Sequence, residues 1–363
     1  MLGYIIKLMS IALLILWAPF SAAKDVNVEA TDYRLSFSGR VVKDWTNSDV
    51  YFNWPGVALS FRFKGMDASI IINGRGGRFD VLVNGRVVNI INTDSTLKKY
   101  SLVKFDSQQD VVVELVKRNE TYEEMVLFDG LEVNGEVLEH RPTQKHIIFF
   151  GDSLSAGLGS ESHHQLCSSD ETFKTSNARV AFPTMTAKLL NASHSQVSYS
   201  GLGVIRNYAG EQRYHNLPYY FNKAGAVLND SSAYEDRHPA LLVIELGLND
   251  FNTDLKPDEP WANVEDFRHS WTDAYVQFII QLRQRYGDVP IVLVGLELDK
   301  DDPFERGINA VNEELLRMGE RSIYIKKIDI KFDGCLWHPT EVEHKRISTI
   351  LASFISDMSL LND

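Results

Sequence analysis

The sequence predicts an all-β domain of the jelly-roll kind followed by a three-layer α/β domain. Three observations predict it. Residues 32–140 carry period-two apolar patterns broken by turn dipeptides, continuous apolar strand-length runs follow beyond residue 145, and helical periodicity separates those runs. With 363 residues the chain has room for two cores of average size.

The elements follow in order. Lys7, the apolar run Leu8 to Phe20 and the small residues Ser21-Ala22-Ala23 make residues 1–23 a secretory signal peptide. The run is shorter than a clean membrane span and ends near the helix-breaking Pro19, so no membrane association is expected after cleavage. The β-domain is assigned to residues 24–143. Tyr33 to Phe37 and Ala58 to Phe63 alternate apolar and polar, and Ser69 to Ile72, Phe79 to Val83, Tyr100 to Val103 and Val111 to Val116 continue the strands. Asn73-Gly74, Asn84-Gly85 and Asn134-Gly135 read as tight turns. Arg141-Pro142-Thr143 is the expected joint. The α/β domain, residues 144–363, opens with the strand His146 to Phe150, and Ala240 to Leu246 and Val289 to Val294 are strands of the same buried kind. Helices are expected at Phe182 to Leu190, Phe267 to Tyr286, Asn309 to Met318 and Pro339 to Met358.

Composition excludes some functions. A net charge of -12 argues against a nucleic-acid partner. The ten histidines are scattered and His163-His164 are adjacent rather than at ligand spacing, so no metal site is expected; no phosphate-cradling motif occurs and no cofactor is implied. Cys167 and Cys335 are the whole cysteine inventory of an exported chain, which favours a disulfide between them over two buried thiols.

Ligands of open α/β sheets bind beyond the carboxyl ends of the strands. Gly151-Asp152-Ser153-Leu154 directly follows the first such strand, offering an exposed hydroxyl and a backbone N–H for an oxyanion. Gly247-Leu248-Asn249-Asp250 follows a middle strand and offers an amide donor. Asp333-Gly334-Cys335-Leu336-Trp337-His338-Pro339 offers an imidazole as general base. Each segment alone is weak; their order and placement carry the reading.

Those segments resemble the SGNH (GDSL) hydrolase superfamily, whose domain is a three-layer, flavodoxin-like fold. The likeness covers roughly Lys145 to the C-terminus and implies Ser153 as nucleophile and His338 as base. It implies an oxyanion hole of Ser153 and Gly201 backbone N–H groups with the Asn249 side chain. Gly201 follows a serine, as the family's donor glycine commonly does; Gly203 in Ser198 to Val204 is the alternative. The front domain, Ser-Gly-x-Gly-Val and Gly-Cys-x-Trp-His-Pro are similar to carbohydrate esterase family two. That resemblance implies a secreted enzyme removing O-acetyl groups from xylan or glucomannan, with a preference for primary 6-O-acetyl groups. Trp337 would then stack on a sugar, or else support its own loop.

The family's usual Asp three residues before the His is Cys335 here. Either Asp333 swings in across an unsuitable spacing, or His338 works in a dyad oriented by backbone carbonyls; the dyad is the preferred reading. Two other functions remain open at this point: a non-catalytic carbohydrate-binding protein, and an esterase or lipase of the superfamily acting on another acyl ester.

Overall fold

The computed structural model describes residues 25–140, 143, 145–299 and 301–361; the expected signal peptide, residues 1–23, and Arg141-Pro142 of the expected joint lie outside the described residues. The first half consists of β1 (Asp25–Glu29), β2 (Ser36–Ser38), β3 (Val42–Asp44), β4 (Asp49–Phe52), β5 (Ala58–Asn73), β6 (Arg78–Val83), β7 (Arg86–Asn92), β8 (Lys98–Lys117) and β9 (Val126–Leu138). They pair antiparallel in one hydrogen-bonded network, β3-β4-β9-β5-β8-β6-β7, with β1 added on β9 and β2 on β5.

Long strands replace several expected short ones. Ala58 to Phe63 and Ser69 to Ile72 belong to the single β5, and Tyr100 to Val103 and Val111 to Val116 to the single β8. Register shifts at Gly65/Asp67 and Ala68/Ser69 explain the break seen in the pattern. Leu59, Phe61 and Phe63 face the core at odd positions, whereas Ala68, Ile70 and Ile72 face it at even ones. The bulge absorbs the change of parity that would otherwise turn the second half outward.

The turn dipeptides divide as well. Asn84-Gly85 joins β6 to β7 as a two-residue hairpin with φ of 48° and 76°. Asn134-Gly135 instead lies inside β9, where a Cβ on Gly135 would stand 2.5 Å from the Gly65 Cα. Glycine serves close backbone approach there, not a turn. Asn73-Gly74 ends β5 but joins strands that do not pair with each other. Tyr33 to Phe37 shrinks to β2, because the Asp32 carboxylate accepts from the Arg34 N–H and guanidinium and folds that stretch into a turn.

The second half runs β10 (His146–Gly151), α1 (Ser153–Ala156), α2 (Ser169–Thr175), α3 (Phe182–Leu189), β11 (Ser193–Ser198), α4 (Leu217–Tyr220), β12 (Leu241–Glu245), α5 (Leu248–Phe251), α6 (Val264–Tyr286), β13 (Ile291–Leu296), α7 (Pro303–Arg317), β14 (Ile323–Ile328) and α8 (Glu341–Asp357). The five strands are parallel in the order β11-β10-β12-β13-β14. Ile148, Phe150, Leu242, Ile244 and Leu293 face α6 and α7, packing with Trp271, Phe278 and Ile308. Their neighbours Ile147, Phe149, Val243 and Val292 face α3 and α8, packing with Phe182, Ile347 and Leu351. This alternation gives three layers. Among the described residues no helix is long and apolar enough to cross a membrane.

Candidate active site

Phe150 and Gly151 end β10, between β11 and β12, and the chain turns there into α1. The Asp152 carboxylate caps that short helix, accepting from the Leu154 N–H at 3.0 Å. Ser153 is thereby the first helical residue, 6% exposed, with its side chain at the end of the strand. Its N–H has no protein acceptor among the described residues.

His338 meets it from the far end of the chain. Ser153 Oγ lies 2.8 Å from His338 Nε2, while His338 Nδ1 lies 2.9 Å from the Leu336 carbonyl and 3.1 Å from the Cys335 carbonyl. Carbonyl oxygens only accept, so Nδ1 carries the proton. Nε2 is left with its lone pair toward the serine hydroxyl, which donates. Leu336 and Trp337 both have positive φ, 52° and 56°, in a turn that brings both carbonyls to the ring. Two such non-glycine residues cost roughly 1–2 kcal/mol each. Asp333 is exposed and makes no hydrogen bond to His338. Burial lowers the His338 pKa from its ordinary 6.5, against the two carbonyl bonds, which raise it.

A disulfide joins Cys167 to Cys335, three residues before His338. It is one of several ties between the His338 loop and the segment after Ser153. Leu336 N–H donates to Gln165 O at 2.7 Å, and Gln165 Nε2 donates to Phe332 O at 2.8 Å.

Gly201 and Gly203 follow β11. The Gly203 N–H donates to Asn207 Oδ1 at 3.0 Å, whereas the Gly201 N–H has no protein acceptor among the described residues. Gly201 has φ 80° and lines the same cleft as Ser153, Asn249 and His338. Asn249, on α5, donates from Nδ2 to Asp152 Oδ2 at 3.0 Å and to Leu202 O at 2.9 Å. Both amide protons are thus engaged, and an incoming oxyanion would share or replace one of these acceptors.

Asp250 organises the next turn by accepting from the N–H groups of Val204, Ile205 and Arg206 at 2.9–3.0 Å. Burial pushes its carboxyl up to about 6 despite these bonds. Burial also pushes Asp152 up to about 7, with Asp250 and Glu120 adding to the rise. Glu245, behind them and bonded to Ser155 Oγ at 2.9 Å, is raised by burial and by Asp152.

The cleft around these groups has a volume of about 940 Å³. Trp337 stands on it 55% exposed, and Tyr208 and Tyr220 also line it. Tyr214 is outside it, and Tyr219 packs edge-on against Tyr220 and His215. Tyr122 and Glu123, from the sheet domain, form part of the wall. Sequence reasoning missed these two, because nothing in a loop after β8 signals that it reaches a site assembled from residues beyond 150. His164, Cys167 and Glu171 lie close together, but the Cys167 sulfur is spent in the disulfide.

Comparison with known proteins agrees with both halves. Residues 37–142 match the carbohydrate esterase 2 N-terminal family, and residues 149–345 match the GDSL-like lipase/acylhydrolase family. An acetylxylan esterase/glucomannan deacetylase of Cellvibrio japonicus is 28% identical, over 88% of this chain and 90% of its own. A carbohydrate esterase described as displaying divergent catalytic and non-catalytic binding functions superposes with TM-score 0.81 at 25% identity, over 89% of this chain and 97% of that one. A family two carbohydrate esterase from Clostridium thermocellum, solved in complex with cellohexaose, shares the fold with TM-score 0.78 at 24% identity, over 90% and 99%. With the hydrolase match spanning more than half its length, the chain belongs to the GDSL-like lipase/acylhydrolase family, as a carboxylic ester hydrolase fronted by a carbohydrate esterase 2 N-terminal domain.

Proposed function

We propose that the protein is a secreted carbohydrate O-acetyl esterase that deacetylates plant polysaccharides such as xylan and glucomannan through a Ser153–His338 acyl-enzyme mechanism. The observation that carries the proposal is the 2.8 Å Ser153 Oγ–His338 Nε2 contact, placed in a cleft beside two unengaged backbone N–H groups. His338 takes the hydroxyl proton as Ser153 attacks the acetyl carbonyl. The N–H groups of Ser153 and Gly201 and the Asn249 amide receive the negative oxygen. The sugar alcohol leaves with the proton from His338, and water then releases acetate by the same steps. No metal or cofactor has a part.

The substrate class is supported by the relatives' activity and by the cleft itself. Its lining includes Glu123, Glu211 and Asp302 but, among the described residues, no Lys or Arg. That suits a neutral glycan better than a polyanion. Trp337 and Tyr208 offer exposed rings on which a sugar can stack. We read the N-terminal sheet domain, residues 24–143, as a jelly roll serving as one wall, and residues 144–363 as the catalytic domain. Export rests on the leader pattern at residues 1–23 and on the Cys167–Cys335 bridge, which persists in an oxidising compartment.

The test compares acetate release from acetylated xylan, acetylated glucomannan and acetylated peptidoglycan. Release from the two plant polysaccharides, abolished by Ser153→Ala, is the expected result; a Ser153→Ala protein that still released acetate would end the reading. Asn249→Ala is expected to lower kcat by about 10²–10³-fold, the usual loss for one oxyanion donor.

A further inference from the structure

Immediately before Gly201, Ser200 is held by a residue from the other domain. The Glu120 carboxylate accepts the Ser200 N–H on one oxygen and the Ser200 hydroxyl on the other, the latter at 2.8 Å. Glu120 lies in the loop that leaves β8 of the N-terminal sheet domain. We propose that Glu120 is a positioning residue of the oxyanion hole, so that the sheet domain fixes the orientation of the Gly201 N–H and is part of the catalytic unit. The inference rests on the reading of Gly201 as a donor.

The geometry gives Glu120 the leverage. The Ser200–Gly201 peptide plane carries the Gly201 N–H, and its direction follows from the residues on either side. On the far side, the Gly201 carbonyl accepts from Tyr208 N–H at 2.8 Å. On the near side, Glu120 fixes both the backbone and the side chain of Ser200. With both flanks held, the peptide between them cannot swing toward another acceptor. Without Glu120 only the 3.3 Å bond from Leu202 N–H to the Tyr199 carbonyl spans this peptide on the near side, and Gly201, at φ 80° with only the Tyr208 Cβ within 4 Å of where a side chain would stand, has room to turn.

The clamp itself is rigid. Lys117 exchanges hydrogen bonds with Gly56 and Val57, Arg118 N–H donates to Arg78 O at 2.9 Å, and Arg118 O accepts from Ala178 N–H at 2.7 Å. The Arg118 guanidinium pairs with Asp80 at 2.6 Å and with Glu161. Asn53 Nδ2 donates to Thr121 O at 2.8 Å, and the Tyr122 ring meets Tyr199 edge-on at 5.2 Å. A carboxylate with so many supports around it holds a donor to the tolerance that oxyanion binding needs.

The experiment uses the full chain and the variants Glu120→Ala, Glu120→Gln and Ser200→Ala, with Ser153→Ala and Asn249→Ala as controls. It reads kcat and KM on 4-nitrophenyl acetate and inhibition by methylboronic acid, whose tetrahedral adduct on a serine places an oxygen in the oxyanion hole. Glu120→Ala is expected to lose about 10–100-fold in kcat, the scale of a sub-ångström to 1 Å misplacement, with KM within about threefold. Methylboronic acid should weaken by a similar factor. Glu120→Gln keeps one acceptor oxygen, and Ser200→Ala keeps the backbone bond, so both should fall between Glu120→Ala and the parent. These two also carry the test if Glu120→Ala does not fold. Parental kcat in the variants, or a loss of kcat with unchanged methylboronic acid affinity, overturns the proposal. If Ser153→Ala is dead and Asn249→Ala slowed while Glu120→Ala is normal, only this inference fails; an active Ser153→Ala removes the function reading beneath it.

Discussion

His338 shows what a histidine gains and lacks when two carbonyls stand where a carboxylate usually does. The carbonyls of Leu336 and Cys335 select the tautomer with the proton on Nδ1, as an Asp would, but they bring partial charges only. Burial therefore dominates and lowers the pKa below 6.5. A base acts when neutral, so activity should persist as pH falls through 6.5 and be lost only on passing the lowered value. The acid limb of kcat/KM should have its midpoint below pH 6.5; a midpoint above 7 would contradict the carbonyl-held dyad. Asp333→Asn should leave kcat within about twofold, while His338→Ala should lose several orders of magnitude, as removal of a serine hydrolase's base does. The missing carboxylate was legible in the sequence as Cys335 at the Asp position. The turn that replaces it was not, because Leu336 and Trp337 take positive φ without the Gly or Asn that usually announces it.

At the scale of elements, apolar strands were readable and polar ones were not. β10, β12 and β13 are continuous apolar runs, but β11 reads Ser-His-Ser-Gln-Val-Ser and is buried throughout. Most of its polar groups are matched: Ser193 and Ser195 to His146, Ser195 also to Asp236, and Gln196 Nε2 to Ser155 O, while Gln196 Oε1 and Ser198 Oγ have no hydrogen-bond partner among the described residues. Such pairing removes the cost of burial without leaving a hydrophobic trace. The base-bearing loop is another element whose order comes from elsewhere in the chain. With no long regular structure of its own between β14 and α8, it depends on the bridge from Cys335 to Cys167, 168 residues away. Replacing both cysteines with serine should cost about 2–5 kcal/mol of stability, the range for a native disulfide closing a long loop. It should also lower kcat, since His338 is only three residues from the lost anchor. Urea unfolding and turnover measured on the same preparation check both. Full kcat in the double variant would mean that the hydrogen bonds from Gln165 are enough to hold the base.

For the whole molecule, the two rhythms in the sequence separated the halves but hid how they join. The residues that join them are Arg40, Asp80, Arg118 and Arg179, which in a sequence look like surface charges. Arg40 is fully buried and donates to Asp236, to the Phe221 and Lys223 carbonyls and to the Tyr286 hydroxyl, all in the hydrolase half. Asp80, also fully buried, takes Arg118 from its own half and Arg179 and Asn177 from the other. One apolar cluster runs from Val28 and Phe61 through Trp54 and Tyr199 to Phe150 and Trp271, without a break at the joint. A buried charge is tolerable only with its partners in place, and removing one side strands the other at a cost of about 3–5 kcal/mol. Separating the halves would break the Arg40–Asp236 and Arg179–Asp80 pairs together and would expose the shared core. The full chain should therefore unfold in one calorimetric transition, with calorimetric and van't Hoff enthalpies equal. Residues 144–363 expressed alone should be unfolded or inactive rather than a smaller esterase. Two resolved transitions, or an isolated hydrolase half with parental turnover, would show that the sheet domain is an appendage. One transition would mean that Ser153, His338 and the sheet domain stand or fall as one unit.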